Sequence, residues 1–320
     1  MKAVVYREYG DPSVLKVEDV EKPAVKRSDV LIKVEASAVN PVDTYFRKGI
    51  RQVKEFPHIP HFDVSGTIVE LGEDVDYLKK GMRVWATNIS GTCAEFVTAQ
   101  ADAVFPLPLS ASFVEGAALA MPFMTAHLAL HYRANVSPGE CVLVYGGAGA
   151  VGNAAIQLAK RAGAKVIATA SNEEKSDICL KAGANNVILY KKEDIVETVQ
   201  QLTNNSGLDV ILDMSVSDNL ENDLLMVKTG GRIVTIGSPN NNTPELPWRL
   251  LNTKHASLLG VLLFTAPSLE LKRAGDEISS LLQQQTITAL VGATYSFEEA
   301  SKAHHALENN VYNGSIVLTP

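Results

Sequence analysis

Between Tyr145 and Asn153 the chain runs Gly146-Gly147-Ala148-Gly149-Ala150-Val151-Gly152, a stretch with very little side chain. Gly146, Gly149 and Gly152 separate a continuous apolar run, residues 141–145, from a segment in which Val151, Ala154, Ala155, Leu158 and Ala162 recur at helical spacing. A buried strand turning into an amphipathic helix is the context in which such glycines carry chemical meaning. Bare backbone N–H groups at a helix N-terminus attract phosphate, and side chains there would hold a pyrophosphate away. Gly146, Gly149 and Gly152 predict a bound dinucleotide, and Ala148 and Ala150 keep the loop small as well. The alternative is a tight strand-to-helix turn that binds nothing.

Which dinucleotide depends on the end of the next strand. The spacing is G-x-x-G-x-x-G rather than the G-x-G-x-x-G associated with NAD. In NAD enzymes a carboxylate about 20 residues further on takes the ribose 2′-hydroxyl. Here the strand ends Thr169-Ala170-Ser171, with no acid before Glu173 and Glu174. The Ser171 hydroxyl and the Lys175 ammonium can hold a 2′-phosphate, with Tyr190 at the end of the third strand beside the adenine or the phosphate. NADPH is therefore favoured. Ser171-Asn172-Glu173-Glu174 also has the form of a capping box with Ser171 as the cap, in which case Lys175 is a surface lysine.

The elements that must position these residues can be read from periodicity. Strands predicted at 141–145, 165–170, 187–190, 210–213, 232–236 and 257–264 alternate with helical patterns, which implies right-handed crossovers and a six-stranded, doubly wound parallel sheet. Before Ser112 the pattern is all-β, with short runs at 2–6, 30–34, 66–71, 82–87 and 94–98 and an extended connector at 105–108. An apolar helix runs from Ser112 to about Tyr132. After residue 264 a helix near 297–309 and a strand at 315–318 are expected to fold back onto the first domain. The reading is an α/β chain with domains at 1–118 and 119–264 and a return at 265–320. The long apolar strand 257–264 lies at a sheet edge that must be paired or covered, which predicts a homodimer joined through it or a C-terminal segment laid over it.

Composition narrows the partners. With 320 residues, 46% hydrophobic and 20% charged, the chain can bury a core large enough for two domains. A net charge of -7 argues against nucleic acid, which favours a clustered basic face. Cys93, Cys141 and Cys179 are scattered and form no C-x-x-C pair, so reduced thiols in a cytoplasmic protein are expected. The chain opens directly on a strand with no apolar targeting segment behind it, and the apolar run 256–267 falls short of the ~20 residues a bilayer span needs. No membrane span is expected.

The chain resembles the medium-chain dehydrogenase/reductase superfamily, specifically its zinc-free, zeta-crystallin-like quinone oxidoreductase branch, almost end to end. The likeness is carried by Ala38-Val39-Asn40-Pro41-Val42-Asp43-Thr44-Tyr45, Asp63-Val64-Ser65-Gly66, Gly91-Thr92-Cys93-Ala94-Glu95-Phe96, the apolar helix at 121–130, the glycine turn and Leu259-Gly260-Val261-Leu262-Leu263-Phe264. It implies a GroES-like β-barrel domain, a Rossmann domain and substrate in a cleft between them. It further implies that Asn40, Tyr45 and Thr125 contact the nicotinamide end, Gly149 to Val151 the pyrophosphate, and Ile236, Gly237 and Ser238 the ribose and nicotinamide. Phe264 and Asn313 would close the cofactor from the other side. From the residues alone, Asn40 is equally a polar turn residue before Pro41, and Tyr45 a half-buried tyrosine of the barrel rim.

Zinc-dependent members of the superfamily place a Cys, a His and a Cys or Asp where this chain has Asn40, Phe62 and Met121. Phe62 has no donor atom, Met121 a weak one and Asn40 no thiolate, so no metal is expected. Without a Lewis acid an unactivated ketone is a poor acceptor, whereas a quinone or enone spreads the incoming charge over a π-system. Tyr45 is a proton-donor candidate. Where members of the branch often carry a second tyrosine and a glycine, this chain has Arg51 and His61. With His58 these add donors at the expected cleft mouth, favouring an anionic or strongly polar acceptor; alternatively Arg51 is solvated and the histidines pack between prolines. The leading function is an NADPH:quinone reductase acting on a small molecule. The alternatives are an NADPH-dependent alkenal, enone or enoyl-thioester reductase, and a crystallin-like structural or sensing protein that binds NADPH without turnover.

Overall fold

The computed structural model describes residues 1–238 and 241–320. The chain divides into two compact units, Met1–Met121 with Leu271–Pro320, and Pro122–Glu270.

The first unit opens with β1 (Lys2–Val5), paired antiparallel with β2 (Lys16–Asp19). Its central element is β3 (Asp29–Val39), eleven residues buried along almost their whole length. A seven-residue helix, α1 (Pro41–Arg47), leads from β3 towards β4 (Asp63–Leu71), which pairs antiparallel along one edge of β3. Next come β5 (Arg83–Ala86), β6 (Phe96–Gln100) and the two-residue β7 (Phe105–Pro106). β6 occupies the first half of the other edge of β3, at Asp29–Lys33. The apolar helix α2 (Phe113–His127) follows.

Sequence reading missed β2 and α1. The first is a half-exposed strand of mostly polar residues, and the second is too short for a helical period to register. Residues 105–108, expected as a connector, instead supply β7, because Pro106 sits at the end of a short edge pairing with β5, where the missing N–H costs least. The apolar helix ends earlier than Tyr132 as regular α-helix: Leu128–Arg133 is a wider π-type turn, with the Ala134 N–H bonded to the Ala129 carbonyl. Together Phe113–Arg133 make 21 residues long and apolar enough to cross a membrane. However, 83% of that apolar window is buried in the fold, as in a core helix.

In the second unit β8 (Cys141–Val144), α3 (Ala150–Arg161), β9 (Lys165–Ala170), α4 (Glu173–Ala182), β10 (Asn186–Leu189), α5 (Ile195–Leu202), β11 (Leu208–Asp213), α6 (Val216–Met226), β12 (Val227–Thr235), α7 (Trp248–Thr253) and β13 (Ser257–Gly260) alternate regularly. All pairings are parallel, in the order β10-β9-β8-β11-β12-β13. β8 and the middle of β11, residues 210–212, are apolar without alternation because helices cover both faces. The order reverses at β8, which has β9 on one side and β11 on the other. Parallel sheets bind ligands in the crevice beyond the strand C-termini at such a point.

The edge strand is shorter than the predicted 257–264. It pairs only as far as Thr235 against Gly260, the last residues of β12 and β13, and Leu263–Thr265 then turns as a 3-10 helix containing Phe264. The Val261 N–H makes the last bond to β12, at the Thr235 carbonyl, and with the partner strand ended no ladder remains to carry the strand on to Phe264.

The chain returns to the first unit through α8 (Ser268–Gln283), β14 (Val291–Ser296), α9 (Ala300–Glu308) and β15 (Ser315–Thr319). β15 is parallel to β14 and antiparallel to β3 at Ser37–Val39, filling the half-edge that β6 leaves free. The resulting sheet runs β14-β15-β3-β4-β5-β7, and its core joins Val4, Ile32, Val64, Ile68 and Val84 to Ile316 and Leu318.

Candidate active site

Two groups of residues stand out, one in each unit. In the second, Gly146 has φ +60 and leads from β8 into the turn. Its N–H donates to Thr169 Oγ1 at 3.0 Å and the Gly147 N–H to the Thr169 carbonyl at 3.1 Å, so β9 holds the turn in place. A Cβ on Gly152 would lie 2.3 Å from the Gly146 carbonyl oxygen, so the turn closes only with glycine there. Gly149 is different. It has an ordinary φ of -78, and a Cβ on it would meet only the Gly146 oxygen, at 3.3 Å. Gly149 is exposed and caps α3, and Ala150 and Val151 behind it are half-buried. The protein's own packing makes little demand for glycine at this point. A ligand approaching the free N–H groups of the first turn of α3 does make that demand, so the turn fits a pyrophosphate.

Ser171 and Tyr190 follow directly on β9 and β10, whose last paired residues are Ala170 and Leu189, so they emerge side by side at one end of the sheet. Lys175 lies in the first turn of α4. The cap of that helix is Asn172, not Ser171: Asn172 Oδ1 accepts the Lys175 N–H at 2.9 Å, leaving the Ser171 hydroxyl uncommitted to capping. Glu173 is exposed and paired with Lys192 at 2.8 Å. Ile236, Gly237 and Ser238 follow β12. The Ile236 N–H is bonded to the Asp213 carbonyl and the Gly237 carbonyl to the Val216 N–H, which fixes the segment against the end of β11. Thr125 is buried in α2, and Phe264 is half-buried in its 3-10 turn.

In the first unit the chemistry is carried by buried side chains. Asn40 precedes α1, and its N–H donates to Asp43 Oδ2 at 2.6 Å. Its side-chain Nδ2 donates to Asp63 Oδ2 at 2.8 Å. The Asp63 carboxyl also accepts the Thr87 hydroxyl at 2.5 Å and the Met121 N–H at 3.1 Å. Asp63 is fully buried, and burial pushes its pKa up to about 7 against the pull of these donors. Tyr45 is half-buried on α1. Arg51 is exposed, its N–H bonded to the Tyr45 carbonyl. Asn313 is half-buried before β15, with its carbonyl against Gly292.

His61 is not at an open edge. It is 1% exposed, with φ +73, and its ring stacks on His304 of α9 with the two Nε2 atoms 2.9 Å apart. Arg47 Nε–H donates to His304 Nδ1 at 3.4 Å, so His304 carries its proton on Nε2 and donates to His61. His61 Nδ1–H then donates to Ser37 Oγ at 3.1 Å, and Ser37 lies 2.9 Å from Thr92 Oγ1. Burial holds both rings neutral, pushing His61 down to about 3. A donor at that position facing substrate is therefore excluded; His61 belongs to the interior. His58 is half-buried, packing edge-on against Tyr6, and its backbone makes a two-way bridge with that residue. Sequence reasoning missed Asp43, Arg47, Thr87 and His304. The one available signal was an acid, Asp63, at the head of a strand otherwise free of charge up to Glu70.

Comparison with known proteins agrees with this architecture. Residues 26–130 match the family described as Alcohol dehydrogenase GroES-like domain, and residues 150–280 match the one described as Zinc-binding dehydrogenase. The quinone oxidoreductase of Sus scrofa is 37% identical over 307 residues, covering 95% of this chain and 93% of the relative. The crystal structure of Escherichia coli quinone oxidoreductase complexed with NADPH superposes with a TM-score of 0.91 over all of both chains at 28% identity. An NAD-dependent alcohol dehydrogenase superposes equally well, with a TM-score of 0.93 at 28% identity over all of both chains, so the backbone alone does not select the cofactor. With GroES-like and Rossmann units both matched and full-length relatives above 30% identity, the chain belongs to the medium-chain dehydrogenase/reductase superfamily, in its quinone oxidoreductase branch.

Proposed function

We infer that this chain is an NADPH-dependent quinone oxidoreductase working without zinc. The observation that carries the cofactor choice is the strand-end arrangement at β9 and β10. There Ser171, Lys175 and Tyr190 stand together and no carboxylate occupies the position that would take a ribose 2′-hydroxyl. Glu173, the nearest acid, is drawn to Lys192.

NADPH, when bound, supplies the hydride. In this reading Gly146, Gly149, Ala150, Val151 and Gly152 hold its pyrophosphate through backbone N–H groups. Ser171, Lys175 and Tyr190 hold the 2′-phosphate, and Ile236, Gly237, Ser238, Phe264 and Asn313 line the rest. Asn40 and Thr125 orient the nicotinamide end. The Asn40 amide is itself fixed by Asp63, so its carbonyl oxygen has a set direction, the preorganisation that positioning requires. Tyr45 supplies a proton to the reduced acceptor, and Arg51, exposed beside it, favours acceptors with an anionic substituent.

The zinc-free reading rests on the donor set. The Asn40 amide nitrogen is committed to Asp63, Phe62 packs its ring against Phe46 at 5.4 Å, and Met121 offers only a thioether. A homodimer through the partly exposed edge strand β13 completes the proposal, and a monomer in light scattering would remove that part.

The test is NADPH and NADH oxidation followed by absorbance with quinones, enones and enoyl thioesters, in enzyme dialysed against chelator. Quinone turnover that survives chelation and prefers NADPH by at least about tenfold supports the reading. Preference for NADH, dependence on added zinc, or turnover of enones alone overturns it.

A further inference from the structure

A second buried acid pair lies beneath the cofactor loops of the Rossmann unit. Asp213 ends β11 and Asp223 lies on α6, and both are completely buried. Asp213 Oδ1 accepts the Ser215 N–H at 2.8 Å and the Asn219 side-chain N–H at 2.9 Å. Asp223 Oδ1 accepts the hydroxyl of Tyr145, the residue just before the glycine turn, at 3.0 Å. The two remaining oxygens, Asp213 Oδ2 and Asp223 Oδ2, are buried with no N–H or O–H donor among the described residues, and the two carboxyl groups lie within hydrogen-bonding reach of each other. Among the described residues no cation acts on either carboxyl group. The titratable neighbours are Tyr145 from the end of β8 and Asp218 from α6, which accepts the Ser215 hydroxyl.

Two acceptor oxygens facing each other without a donor are stable only if a proton lies between them. We propose that Asp213 and Asp223 share one proton, and that this singly protonated pair is a positioning device for the NADPH site, locking the loops after β8, β11 and β12 to one another. The connections run outward from the pair. Tyr145 leads into Gly146, and its N–H is bonded to the Leu212 carbonyl. The Asp213 carbonyl accepts the Ile236 N–H, and Val216, next to the Asp213-bound Ser215, donates to the Gly237 carbonyl. Loss of the shared proton places two like charges in contact under all three segments. Burial raises both pKa values, with the Asp213 charge adding to the rise at Asp223 and the Asp218 charge to that at Asp213, so the shared proton is held above the ordinary carboxylate range and is lost as pH rises.

The role in cofactor positioning rests on the function proposed above; the shared proton does not. The experiment compares the wild type with Asp213→Asn, Asp223→Asn and the double variant, reading the NADPH Kd by fluorescence titration and the urea midpoint from about pH 6 to about pH 9. An amide at either position supplies the missing N–H and cannot titrate. Each single variant should therefore hold the neutral-pH Kd within about twofold and abolish the alkaline weakening seen in the wild type. The double variant sets two amides against each other and should weaken NADPH by roughly tenfold with a lower urea midpoint.

A double variant no worse than the singles, singles as damaged as the double, or a pH-independent wild type overturns the shared proton. The stability pattern without any change in NADPH affinity overturns the positioning role alone. A wild type that binds no NADPH overturns the functional reading, while the urea midpoints still decide the proton.

Discussion

The glycine turn and the Asn40–Asp63 cluster, one in each unit, reach their functional geometry by opposite means. The turn offers backbone N–H groups, placed by strand, turn and helix within eight residues and steadied by Thr169. The cluster offers the side chains of Asn40, Asp63 and Thr87, joined by the Met121 N–H, and the histidine chain behind it joins positions as far apart as Arg47 and His304. Local geometry tolerates change around it but not within it. A long-range polar network spreads its sensitivity over many positions, because each buried donor removed leaves an acceptor unsatisfied.

The sharpest break of this contrast is Gly152→Val. The new side chain collides with the Gly146 carbonyl, and NADPH affinity should fall by roughly a hundredfold, about 3 kcal/mol, with quinone turnover lost, as titration and steady-state kinetics would record. Asp63→Asn tests the other unit. One of three donors then faces an NH2 group, a cost of about 1–3 kcal/mol, and we expect kcat to fall by about tenfold while the KM for NADPH changes less. Lys175→Ala should lower the preference for NADPH over NADH by about tenfold and leave NADH kinetics alone; an unchanged ratio would remove Lys175 from the cofactor site.

A subtler contrast concerns pH. His61 and His304 have depressed pKa values, so the first unit gains stability as pH rises towards 6.5, their ordinary value. Asp43 and Asp63 have raised ones, so their contribution is complete below 3.8 and declines as pH rises, for Asp63 through about 7. These slopes oppose each other. In the second unit Asp213 and Asp223 are raised. Hydrogen exchange read separately over β3 and β11 should show protection nearly level with pH in the former and declining towards alkaline pH in the latter. Parallel profiles would show that the units do not titrate independently. The smallest effect is expected at Glu173→Ala, which removes an exposed pair and should leave NADPH affinity unchanged.

The same contrast explains what could be read from the chain. The doubly wound sheet was legible because buried parallel strands are uniformly apolar and glycine spacing encodes a local turn. The edge strand was overextended because Val261 to Phe264 remain apolar after the ladder has ended at Gly260; composition does not record where a partner strand stops. The capping alternative for Ser171 stayed open because serine and asparagine are near-equal caps and only the backbone decides which is used. His61 stayed open between a cleft-mouth donor and a packed histidine because its partner, His304, lies 243 residues away, beyond any periodic signal.

The pairing of β15 with β3 bears on how the polypeptide is made. β3 has left the ribosome long before Ser315 is added, and its half-edge at Ser37–Val39 stays open through the synthesis of the entire Rossmann unit. The dinucleotide-binding unit has all its strands by Gly260 and can fold first, whereas the N-terminal sheet waits for the last residues to close it. Premature termination between residues 270 and 315 would thus release a chain with a finished nucleotide-binding unit beside an unfinished sheet, its unpaired edge available to other chains.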